Sequence, residues 1–130
     1  MTKTPSEKWL EDISIYRKKC QNILLISQSI RYVGLINEYG RTLTGIIKPG
    51  TSIFLKSEPA RNEFFLISTL LSMRRSNDYA IGALDFAMFK HNKVILMAFQ
   101  RKEGIYYVSV NKNVPPNSLS KIIGKIKKLI

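Results

Sequence analysis

The stretch IRYVGLINEYGRTLTGII, residues 30–47, decides how the rest of this chain is read. Two runs rich in β-branched residues, Tyr32-Val33-Gly34-Leu35-Ile36 and Thr42-Leu43-Thr44-Gly45-Ile46-Ile47, flank the polar segment Asn37-Glu38-Tyr39-Gly40. Asn37 can begin a turn, and Gly40 can adopt a positive φ. The pattern predicts a β-hairpin closed by a short loop. Gly34 and Gly45 interrupt the predicted strands, which marks a bulge or the close approach of another element.

Outward from the hairpin, residues 6–29 read as a helix with Ser6 as N-cap and Glu7 in the first turn. Trp9, Ile13, Tyr16, Cys20, Ile23 and Ile30 recur at helical spacing, with Ser27 filling one place, and predict an apolar stripe laid on a sheet. After a connection at 48–56, SEPARNEFFLISTLLSMRR (57–75) reads as a second helix, with Ser57 capping and Pro59 in the first turn. Phe64, Phe65, Leu66, Ile67, Leu70, Leu71 and Met73 cover more than one stripe of it. A helix apolar around most of its girth must bury more than one face, and a partner chain is a candidate second cover.

From Tyr79 to Val110 the chain reads as a three-strand meander, AIGALDFAMFK, KVILMAFQRK and IYYVSV, with His91-Asn92 and Lys102-Glu103-Gly104 at the turns. VILMAF is apolar without alternation, as a central strand covered on both faces would be. A last helix, LSKIIGKIKKLI, follows Pro115-Pro116, with Asn117 or Ser118 as cap and an apolar stripe of Leu119, Ile122, Ile123, Ile126 and Ile130. The expected class is therefore α+β, in the order α-ββ-α-βββ-α: a five-stranded antiparallel sheet with helices on both faces. The whole of 1–130 reads as one domain, with its N-terminal helix at about 6–29, its core at about 30–113 and a basic amphipathic helix at about 118–130.

Composition narrows the function classes. A hydrophobic content of 45% argues against disorder. One cysteine, Cys20, cannot form an internal disulfide, and no apolar run approaches the ~20 residues of a bilayer span, so a cytoplasmic setting is expected. The formal net charge is +12, and from Phe86 onward nine Lys or Arg face one acid, Glu103. Such a field attracts nucleic acid, anionic lipid or an acidic partner. Arg101, Lys102, Lys112, Lys121, Lys125, Lys127 and Lys128 are the candidate polyanion-binding residues, with Tyr106 and Tyr107 as candidates to stack on bases. Membrane binding is the weaker alternative, because the basic helix is short and has no aromatic anchor.

Little in the chain points to catalysis. GIIKPGTS (45–52) lacks the Lys of a phosphate-binding loop, and Pro49 removes one of the N–H groups that would cradle a phosphate. With one His, one Cys and scattered acids, no metal or cofactor site is expected, and His91 has no nucleophile or orienting acid to work with. Cys20 lies on an apolar stripe, where packing is expected rather than reactivity.

With this element order, the chain resembles the Roadblock/LC7 superfamily, within the wider profilin-like and longin-like group. VGLINEYGRTLTGI is similar to that family's first hairpin, and the apolar helix, meander and closing helix follow in the family's order. The chain also resembles small archaeal proteins. The Roadblock resemblance implies a non-catalytic homodimer that pairs through the second helix and the neighbouring strand, and serves as a scaffold or regulator of small GTPases or motors. Here the implied dimer residues are Phe64, Phe65, Leu66, Leu70 and Met73, with a strand beginning near Ile81. Two other function classes stay open: a nucleic-acid-binding protein, and a PAS-like sensor with an apolar ligand cavity between sheet and helices.

Overall fold

Thr4, rather than Ser6, opens the first helix. Its hydroxyl accepts from the Glu7 amide at 3.2 Å while the Glu7 carboxylate accepts from the Thr4 amide at 3.3 Å, a reciprocal cap with Pro5 at the first helical position. A computed structural model describes residues 2–130: α1 (Pro5–Leu24), β1 (Ile30–Ile36), β2 (Thr42–Ile47), α2 (Ser57–Arg74), a 3-10 turn, α3 (Asp78–Ile81), β3 (Phe86–Lys90), β4 (Val94–Arg101), β5 (Gly104–Asn111) and α4 (Pro116–Leu129). The five strands form one antiparallel sheet in the order β2-β1-β5-β4-β3.

Helices cover both faces, as expected. Cys20 and Ile23 of α1 and Ile122 and Ile126 of α4 pack with Val33, Leu35, Met97, Phe99, Tyr106 and Val108 on one face. On the other, Phe64, Ile67 and Leu71 of α2 meet Ile36, Leu96, Ala98, Ile105 and Tyr107. Residues of opposite parity along β4 and β5 thus enter separate cores, which is why both strands read as apolar without alternation.

Several boundaries differ from expectation. The first helix ends at Leu24, not near 29, and Ile30 is the first residue of β1. Ile30 still joins the core that α1 caps, so its apolar character serves the same core from a different element. VILMAF in β4 is an interior strand covered on both faces, as expected, and β5 is the middle strand of the five because β1 crosses over to pair with it. Ile81 ends a helical turn; Gly82, at φ +88, breaks it, and the strand starts only at Phe86. Neither Ser57 nor Asn117 and Ser118 act as caps: Lys56 and Pro115 occupy those positions without a side-chain hydrogen bond.

The hairpin forms as expected. The Asn37 side-chain oxygen accepts from the amides of Tyr39 at 2.9 Å and Arg41 at 3.0 Å, and the Asn37 amide donates to the Arg41 carbonyl at 2.9 Å. Gly40 takes φ +80 at the tip and is buried against α2; an added Cβ would lie 2.6 Å from Phe65 Cα. Gly34 and Gly45 face each other across β1 and β2, and the close approach they permit is that of Tyr32. A Cβ at Gly34 would collide with the Tyr32 ring, 2.9 Å from its Cζ, and one at Gly45 would sit 3.1 Å from the same atom. The ring therefore lies across two paired glycines, an aromatic side chain filling the space that they leave.

Gly34→Ala should cost about 2 kcal/mol by displacing Tyr32. In a Tyr32→Ala background the same change should be neutral or stabilising, since Ala exceeds Gly within a strand by about 0.5–1 kcal/mol. A denaturant double-mutant cycle measures this coupling.

Candidate interaction surfaces

The inner face of α2 is built around Tyr32. Phe64 stacks on its ring at 6.3 Å with an interplanar angle of 17°, and Tyr107 meets Phe64 edge-on at 5.0 Å. The Tyr107 hydroxyl donates to the Glu63 carboxylate at 3.1 Å. Ser68, fully buried, donates to the Phe64 and Phe65 carbonyls of its own helix, so its hydroxyl needs no partner elsewhere. Phe64 is thus a core residue of this chain, and the structure removes it from the expected outer face.

The other implied dimer residues are exposed. Leu66 (62%), Leu70 (40%) and Met73 (70%) recur at spacings of four and three along one stripe of α2, with Phe65 (58%) beside it. Ile81 is exposed as well, although on α3 and not on a strand. β3 is a free edge of the sheet, and its Phe89 packs on the α2 side. Phe65, Leu66, Leu70 and Met73 thus give the outer side of α2 an exposed apolar stripe.

The expected basic residues lie on β4, on the turns that flank β5 and on α4. Arg101 donates to the Asp85 carbonyl at 3.0 Å and pairs with the Asp85 carboxylate, which also takes Lys127. The Lys127 hydrogen bond, aided by Arg101, holds the Asp85 carboxyl below its ordinary value. Lys102 and Lys112 stand at opposite ends of β5, roughly 25 Å apart by strand rise. Lys121, Lys125 and Lys128 form an exposed row along α4. Tyr106 is fully buried and Tyr107 is 4% exposed, on opposite faces of the sheet, so neither can stack on a base.

Cys20 is buried, and burial pushes its thiol up to about 11, partly offset by Arg17, so it stays protonated at neutral pH. His91 is exposed at the β3–β4 turn. No cluster of metal-ligating side chains occurs among the described residues, and no helix there is long and apolar enough to cross a membrane. Two clefts open at the ends of the sheet. One, of about 350 Å³, is lined by Asn37, Arg75, Lys102 and Glu103 among others; the second, of about 320 Å³, by Arg31, Phe54, Lys93 and Lys112 among others. Their charged linings differ from the apolar chamber that a PAS-like sensor requires.

The topology, a five-stranded antiparallel sheet between helices, is that of a Roadblock/LC7-like fold. No protein-family model matches the sequence, and a search of curated proteins found no match. Solved structures do match. The gliding protein MglB from Thermus thermophilus aligns with a TM-score of 0.66 at 12% identity, over 99% of this chain and 90% of that one. A Roadblock/LC7 domain from Streptomyces avermitilis aligns at 0.59 and 13% identity, over 86% and 91%. An MglB with a tetrameric arrangement aligns at 0.62 and 12% identity, over 99% and 92%. At these identities the likeness is one of fold, and the named organisms lend no support to the archaeal resemblance.

One partly buried ion pair ties α1 to the sheet. Burial raises the Glu103 carboxyl, but hydrogen bonds from Tyr106 at 2.6 Å and Lys19 at 3.1 Å outweigh it, and the net shift is downward. A depressed carboxylate stabilises the fold above its unfolded pKa and loses that contribution as the pH falls through the folded value. Glu103→Gln should therefore cost about 1 kcal/mol at neutral pH. The gap to the native protein should close on acidification, as urea unfolding across the carboxylate range would show.

Proposed function

We propose that this chain is a non-catalytic homodimeric scaffold or regulatory module that pairs through the outer face of α2, with a small GTPase as its client. The observation that carries the pairing is the solvent-facing row Leu66, Leu70 and Met73 with Phe65 beside it. α2 already covers its own sheet with Phe64, Ile67 and Leu71, so the outer row has no use within the chain. A second copy suits it because β3 is also a free edge, and a two-fold axis lets helix face and strand edge each meet its own equivalent. Ile81 lies at the margin of that surface in this reading. The similar MglB with a tetrameric arrangement supports self-association for a protein of this fold. The GTPase client rests on the Roadblock/LC7 resemblance, in which such modules regulate rather than catalyse.

Size exclusion with light scattering should give a dimer at micromolar concentration that persists in high salt, because the contact is apolar. Leu70→Asp should leave the circular dichroism unchanged and weaken association by about 100-fold or more, since it places a charge in a desolvated contact. A native protein that stays monomeric throughout would contradict the proposal.

A further inference from the structure

Residues far apart in sequence meet at the end of the sheet opposite the hairpin tip. The start of β1, the start of β4, the end of β5, the segment after β2 and the loop before α4 enclose the cleft of about 320 Å³. That volume lies at the lower end of small-ligand pockets, roughly 300–1,000 Å³. Arg31, Lys93 and Lys112 line it together with Ser29, Asn111 and Asn113, and no carboxylate is among its lining residues.

Arg31 is the best-held cation in the group. The β1–β5 register shifts between Ile30 and Tyr32, which places Arg31 at a bulge and aims it out of the regular ladder. Its guanidinium stacks over the Phe54 ring at 4.2 Å, and its two terminal nitrogens donate to the Ser52 carbonyl at 2.6 Å and the Asn111 side-chain oxygen at 3.3 Å. All these partners are neutral. No ion pair among the described residues includes Arg31, Lys93 or Lys112. By contrast, Asp85 neutralises Arg101 and Lys127, and Glu103 neutralises Lys19, at the far end of the sheet. Three like charges around one concavity, one of them orientated by neutral groups, repel each other unless an anion joins them.

We propose that this cleft binds the phosphate groups of a small, multiply charged ligand such as a nucleotide or a polyphosphate. Arg31 supplies a fixed guanidinium charge with N–H groups left over from its bonds to Ser52 and Asn111, and Lys93 and Lys112 supply further point charges. The site is independent of the α2 surface, and neither proposal depends on the other.

The test is an NMR amide titration with tripolyphosphate and, separately, with ATP, at physiological salt. The native protein should show saturable shifts centred on Arg31, Lys93 and residues 111–113. Arg31→Gln should weaken binding by about tenfold or more, reflecting loss of a charge-assisted hydrogen bond. Lys93→Gln, a change to an exposed side chain that leaves the fold intact, should weaken it by a smaller factor in the same direction. Lys121→Gln on α4 should change nothing. ATP binding more tightly than tripolyphosphate would assign a role to the Phe54 and Pro115 wall; equal affinity would assign recognition to the phosphates alone, and both support the site. Shifts spread equally over the α4 lysines, absence of saturation, or indifference to both Arg31→Gln and Lys93→Gln would overturn it.

Discussion

Tyr32 lies across Gly34 and Gly45, two glycines that face each other in adjacent strands, and the position of α2 follows from that contact. With no Cβ beneath it, the ring sinks toward the sheet and presents a surface on which Phe64 can stack. At the hairpin tip, Gly40 lets the turn approach the α2 backbone at Phe64 and Phe65. Side-chain stacking and a backbone contact thus fix the same short length of helix. Close-packed interiors transmit such constraints, because no neighbour has free volume in which to adjust.

Once α2 is fixed at Phe64, its helical period settles the rest. Phe64, Ile67, Ser68 and Leu71 face inward, and Leu66, Leu70 and Met73 face water. The opposite face of the sheet has two helices on it and a larger buried set, although α1 leaves Trp9, Leu10 and Ile15 exposed toward its start, so Trp9 does not join the stripe laid on the sheet. The proposed function grows from the outer row of α2 and needs no reactive group.

Local signals carried most of the fold. Alternation, turn residues and the helical period gave the element order, since each depends on neighbours a few residues apart. What stayed hidden was nonlocal. The pairing of β1 with β5 made β5 the centre of the sheet, and nothing near IYYVSV in the sequence announces it. The same crossover brings Arg31, Lys93 and Lys112 to one cleft, so of those three only Lys112 stood out, and only as part of a basic C-terminal region. Periodicity also misled where it ran on by coincidence, as when Ile30 continued the α1 stripe from within a strand. Tyr106 and Tyr107 looked available for stacking because adjacent strand residues always point to opposite faces; in a sheet covered on both sides, both are buried.

The central claim, that the outer face of α2 is covered in solution by a second copy, is tested most directly at Met73. Met73 is 70% exposed in the single chain, whereas Met97 is fully buried and serves as an internal reference. With methyl-labelled methionine and a soluble paramagnetic relaxation agent, the account predicts that Met73 is shielded in concentrated protein and becomes accessible on dilution, while Met97 is shielded throughout. A Met73 methyl that stays fully accessible at every concentration would contradict it.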